Sequence, residues 1–121
     1  MNSSKTYFLF IVIYFSLFLG ERLGNHCISQ NKNIDTLLIQ LKNDKRDTNR
    51  VKHFNRLCLE YTNISQYDTA FYYGNQAMLL SEDLNFQKGI ATSNNLIGTI
   101  YTNQGNYSKA LGCYQKSKKI N

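Results

Sequence analysis

Residues 51 to 121 of this 121-residue chain repeat themselves at a spacing of 40. Sliding the sequence by that interval lays Asn55 on Asn95, Tyr61-Thr62-Asn63 on Tyr101-Thr102-Asn103, Tyr67 on Tyr107 and Ala70 on Ala110, with Leu57 falling on Ile97. A period in this range belongs to helical-repeat solenoids. Each unit there is too small to bury its own apolar face and must stack on a neighbour. The chain therefore reads as a stacking surface before it reads as a catalyst.

The periodicity within the units is helical throughout. Ile34, Leu37, Leu38 and Leu41 follow the i, i+3, i+4, i+7 rule and predict a leading helix over 34–43. Asp47 or Thr48 is placed to cap a second helix bearing Val51, Phe54, Leu57, Cys58 and Tyr61 on one face. A third is expected from about Tyr67 into Asp83, a fourth from about Lys88 to Asn103, and a fifth from Tyr107 onward. Leu84-Asn85-Phe86 and Gln104-Gly105-Asn106 supply turn residues between them. No proline and no alternating β-branched run interrupts the series. The expected fold is all-α, antiparallel helical hairpins stacked as a short solenoid, with repeat units at 51–84 and 91–121.

Residues 1–29 read differently, as a signal peptide. Lys5 provides the positive start, Tyr7 to Leu19 an apolar run, and Cys27-Ile28-Ser29 a small-x-small pattern for cleavage before Gln30. As a helix that run reaches only about 20 Å, short of the roughly 30 Å hydrocarbon core of a bilayer. The reading is a cleaved export signal rather than a membrane anchor, which places the mature 30–121 segment in an extracytoplasmic compartment. Loss of residues 1–29 leaves 12 basic and 7 acidic residues, a net charge of +5. The basic clusters, Lys42 to Arg56 and Lys109 to Lys119, lie near helix ends and among acids, so they read as solvated surface rather than a nucleic-acid footprint.

Chemistry-bearing residues are sparse. After signal removal His53 is the single histidine, and no carboxylate or thiol partner for it can be identified from sequence. Neither HExxH, nor a glycine-rich phosphate loop, nor GxSxG is present. Glu82-Asp83 reads as a solvated helix end. Cys58 and Cys113 fall at non-equivalent repeat positions and read as two free thiols, Cys58 buried as a small apolar residue. Asn63-Ile64-Ser65 and Asn106-Tyr107-Ser108 are explained by turn chemistry. No enzyme, cofactor or metal site is expected.

The unit from Ala91 to Ser117 carries Ile97-Gly98 and Tyr101 in its first helix, Gly105 and Tyr107 at the turn, and Ala110 and Tyr114 in its second. This pattern resembles the tetratricopeptide repeat. The upstream unit fits at Leu57, Tyr61, Tyr67, Ala70 and Ala77. It departs at Cys58, which replaces a glycine-type residue, at Ser65, where glycine is usual, and at Gly74, where an aromatic is expected and Tyr73 or Phe71 would compensate. Ser117 stands for the usual alanine. The expected packing set is Leu57, Cys58, Tyr61, Tyr67, Ala70, Ala77, Ile97, Gly98, Tyr101, Tyr107, Ala110 and Tyr114, with Gly98 and Ala110 facing each other where the helices cross.

The resemblance also implies a function. In this repeat family the first helix of each unit lines a concave groove. The matching positions here, expected to be exposed, are Lys52, Asn55, Arg56, Leu59 and Asn63 in one unit and Thr92, Asn95, Leu96, Thr99 and Asn103 in the next. Lys52 and Arg56, one turn apart, are placed to hold a carboxylate. The 40-residue period, longer than the common spacing of about 34, together with the export signal, is similar to the extracytoplasmic N-terminal region of bacterial sensor histidine kinases. The implied role is protein or peptide binding as the sensing or scaffold part of a signalling protein in a Gram-negative periplasm. A transmembrane helix would then follow downstream. The alternatives are a free-standing adaptor that self-associates through its open repeat end, or a truncated fragment of such a kinase. For the signal itself, N-terminal sequencing of the exported chain is expected to begin at Gln30; a start at Met1 would refute cleavage.

Overall fold

The computed structural model describes residues 32–120, and all its regular structure is helical. Helix α1 covers 32–43, α2 Thr48–Asn63, α3 Tyr67–Asp83, α4 Gln87–Asn103 and α5 Tyr107–Ile120. The signal peptide assigned to 1–29 lies outside the described residues. The helices fall within a few residues of their expected positions. The fourth helix begins at Gln87, one residue before its expected start at Lys88.

Each helix end is set by local chemistry. Asp47 caps α2, its Oδ1 accepting from the backbone N–H groups of Asn49 at 3.0 Å and Arg50 at 3.2 Å. At the other end, three turns share one geometry. Ser65, Asn85 and Gly105 adopt φ of 60°, 52° and 77°, at positions spaced by 20 residues. Gln66, Phe86 and Asn106 donate back to the carbonyls of Tyr61, Ser81 and Tyr101 at 2.9, 2.8 and 2.8 Å. This paired-bond cap satisfies orphan carbonyls and reverses the chain in three residues. Two such helix-plus-turn blocks make the 40-residue period. Ser65 adopts the left-handed conformation itself where the family prefers glycine.

Short turns force α2 to pack on α3 and α4 on α5 as antiparallel pairs. The pairs then stack through α3 on α4 and α2 on α4. Val51, Phe54, Leu57 and Cys58 of α2, Ala70, Ala77 and Leu80 of α3, and Ala91, Ile97 and Ile100 of α4 form the buried core. Full burial of a side chain such as Leu57 contributes about 1.5–3 kcal/mol.

Room at the helix crossings is divided differently in the two units. Gly98 lies against the Tyr114 ring, where an added Cβ would sit 2.7 Å from the aromatic edge. The neighbour that demands glycine is therefore Tyr114, not Ala110, although Ala110 is itself buried. In the upstream unit the equivalent pair is reversed in size. Cys58 replaces the glycine and Gly74 replaces the tyrosine, and a Cβ on Gly74 would meet Cys58 Sγ and Ile97 Cγ1, each at 3.1 Å. The missing aromatic is thus compensated by Cys58 and by Ile97 of the next unit rather than by Tyr73 or Phe71. Those two rings pack elsewhere, Tyr73 stacked on Tyr61 at 5.5 Å and Phe71 against Tyr101 at 4.9 Å.

Tyr107 departs from the expected packing set, being 70% exposed. Its repeat equivalent Tyr67 is half-buried in a cluster that includes Ile100 of α4, one helix further on. Among the described residues no helix lies beyond α5 to cover Tyr107 in the same way.

Both cysteines among the described residues are free, Cys58 fully buried and Cys113 partly so. Burial pushes the Cys58 thiol up to about 11 from 9.0, against smaller lowering contributions from hydrogen bonding to Thr62 and to the Gly74 backbone. Its folded pKa lies above the unfolded one, so the stability it confers is whole below about pH 9 and lost as pH rises toward 11. The loss is on the order of 2–3 kcal/mol. Urea unfolding across that range should show wild type falling relative to Cys58→Ala, and at pH 8 alkylation followed by mass mapping should modify Cys113 but spare Cys58. A parallel pH profile for the two proteins would contradict the assignment.

Candidate functional site

The first helices of the two units, α2 and α4, run side by side, and a cleft of about 280 Å³ opens between them. Lys52, Asn55, Arg56 and Leu59 line it from α2, and Lys88, Gly89, Thr92 and Leu96 from α4, with Phe86 of the preceding turn closing one end. Six of the ten groove positions expected from the sequence converge here: Lys52, Asn55, Arg56, Leu59, Thr92 and Leu96. The other four, Asn63, Asn95, Thr99 and Asn103, do not line the cleft. Asn63 and Asn103 close their helices, Asn95 is exposed, and the Thr99 hydroxyl donates to the carbonyl of Asn95 at 3.0 Å.

Asn55 was expected to be exposed, and the structure corrects this. It is only 7% exposed, with Oδ1 accepting from the Ser93 hydroxyl at 2.9 Å. Ser93 Oγ also lies 2.9 Å from the Gly89 carbonyl. A buried polar side chain requires such a partner, since leaving it unpaired costs about 1–3 kcal/mol. The bond joins α2 to α4 directly beneath the cleft. It leaves the Asn55 amide nitrogen as the end able to donate to a bound group.

Phe86, Lys88 and Gly89 were not foreseen. Repeat alignment hides them, because a 40-residue shift sets Lys88 and Gly89 opposite Thr48 and Asn49, which share no property with them. Gly89 is required by close packing. A Cβ there would stand 2.3 Å from Ser81 Oγ and 2.5 Å from Phe86 Cδ1. Ser81, fully buried, is the one buried side-chain polar atom among the described residues without a hydrogen-bond partner.

The cleft is electrostatically one-sided. Lys52, Arg56 and Lys88 line it, and no carboxylate does. Glu60 stands nearby, mostly buried, with its Oε1 accepting from Arg56 Nε at 3.0 Å. That contact orients the guanidinium and leaves its terminal nitrogens for the cleft. A second cavity, lined by Arg46, Arg50, Phe54, Gln76, Leu79, Leu80 and Asp83, contrasts with it. There Arg46 is paired with Asp83, and Arg50 donates to the carbonyls of Leu41 and Asp44 while lying over the Phe54 ring. Its charges are already engaged.

Two ion pairs add to what the sequence identified. His53 does have a positioned carboxylate, since Nδ1 meets Asp44 Oδ2 at 2.5 Å. The contact fastens the turn after α1 to α2, and Asp44 lies only nine residues away in a loop whose path periodicity does not fix. Asp83, the exposed end of α3 as expected, pairs with Arg46 across 37 residues.

The regular 20-residue blocks, the paired first helices and the groove between them are the features of a tetratricopeptide domain. A family model described as the SusR N-terminal TPR domain matches residues 27–119. The chain belongs to this family. No curated protein and no solved structure matches the chain. Tetratricopeptide domains are protein-interaction scaffolds.

Proposed function

We propose that this TPR domain binds a protein segment in the cleft between α2 and α4. The observation that carries the reading is the convergence there of an apolar floor, Leu59 and Leu96, with a fixed buried amide, Asn55, and three cations. A cleft of this size accommodates one or two side chains rather than a whole cofactor, which favours a peptide lying across the helices. The proposal includes export, supported by the charged start and apolar run of residues 5–19, and a role as the sensing or scaffold part of a bacterial signalling protein. A photo-crosslinking residue at Leu96 should capture the partner in the producing cells. The same residue at Tyr72, which is exposed on α3 outside the cleft, should not. Equal capture from both positions would remove the cleft from the interaction.

Self-association is the second reading, and a separate surface supports it. Tyr107, Leu111 and Tyr114 are exposed at i, i+4 and i+7 along one face of α5. Their repeat equivalents Tyr67, Phe71 and Gly74 lie on the face of α3 that α4 covers, with Phe71 against Tyr101 and Gly74 against Ile97. The α5 stripe is therefore shaped to receive another helix. Sedimentation velocity is expected to show concentration-dependent association that Leu111→Glu abolishes; a single concentration-independent monomer would exclude it.

A further inference from the structure

Resting on the proposal that the α2/α4 cleft holds a protein segment, we infer that its ligand is an internal acidic-apolar motif, a bulky aliphatic or aromatic side chain flanked by carboxylates. Charge complementarity is the first argument. Lys52, Arg56 and Lys88 surround the cleft with no lining acid, and Glu60 offsets only part of Arg56. A neutral or basic segment would leave these cations partly desolvated without compensation, whereas ligand carboxylates form charge-assisted hydrogen bonds with them.

The second argument is the placement of the cations. Lys52 and Arg56 stand one helical turn apart, about 5–6 Å along α2, and Lys88 enters from the first turn of α4 on the facing wall. Carboxylates on both sides of one bound residue meet this arrangement better than one carboxylate at a chain end. Leu59, Leu96 and Phe86 line the same cleft as the cations and give the intervening side chain an apolar seat.

The third is Asn55. This amide is more than nine-tenths buried, lines the cleft, and has its oxygen committed to Ser93. Its Nδ2 is left to donate to a ligand main-chain carbonyl, fixing the register that brings the flanking acids to the cations.

The test uses the full chain and calorimetric titration with hexapeptides blocked at both ends. One carries leucine between two glutamates, a second has glutamines in place of the glutamates, and a third has alanine in place of the leucine. The glutamate-leucine peptide should bind, with the other two weaker by roughly tenfold or more. Its affinity should fall with added salt and fall by a similar factor in Lys88→Glu, an exposed position whose change leaves the core intact. Equal binding of the glutamine peptide would overturn the acidic motif while leaving the cleft as a peptide site. Preference for an unblocked, otherwise neutral peptide would overturn it in favour of a terminal carboxylate. An unchanged affinity in Lys88→Glu would place the contact elsewhere. If no peptide binds the inference falls, and loss of crosslinking from Leu96 as well would take the cleft reading with it.

Discussion

The volume available where paired helices cross governs this stack. Helix axes approach closely only if bulk on one side is matched by its absence on the other, since protein interiors are packed to nearly crystalline density. The downstream unit meets the condition with Gly98 under the Tyr114 ring. The upstream unit meets it with the sizes exchanged, Cys58 against Gly74, and Ile97 of the neighbouring unit takes the remaining space. That exchange couples the units. With a tyrosine at position 74 the site occupied by Ile97 would be contested, and α4 would be held further from α3.

The close approach of α4 creates the cleft. Gly89 lets the first turn of α4 settle over Ser81 and Phe86, and Ser93 then reaches Asn55 on α2. Core packing and site geometry are thus consecutive links in one chain of contacts. An isolated surface charge is weakly placed, because its side chain samples many rotamers. Here Arg56 is held by Glu60, and Asn55 is held by Ser93, so part of the ordering cost that binding would otherwise incur is met in the unliganded fold.

Much of this was legible in the sequence, for identifiable reasons. Self-similarity at 40 residues reports the stacking translation, and apolar spacing locates α2 to α5 because each buries one face against a neighbour. The cleft was half legible. Repeat alignment projects Lys52, Asn55, Arg56 and Leu59 onto the groove side of α2 and Thr92 and Leu96 onto that of α4. It cannot show that α4 contributes one turn earlier than its alignment with α2 suggests, which is how Lys88 enters. Nor does a helical wheel distinguish an exposed asparagine from one turned inward to a serine 38 residues away. Tyr107 was misjudged because its type matches Tyr67 while its cover does not. Repeat position specifies which way a side chain points, and burial depends on whether a neighbouring helix is there to meet it.

The two exposed features differ in chemistry, and that difference separates what each can recognise. On α5, Tyr107, Leu111 and Tyr114 offer area and shape with little charge, a surface that gains by excluding water against another helix. The cleft instead offers three cations about a small apolar seat, where selectivity comes from leaving a mismatched ligand's charges, or its own, uncompensated. A helix broad enough to cover the α5 stripe is too bulky for a cleft sized for one or two side chains. A short acidic segment that fits the cleft buries too little area to hold the stripe. The proposed ligand in the groove and the proposed helix on the α5 face would therefore occupy separate surfaces, and loss of one would leave the contacts of the other in place.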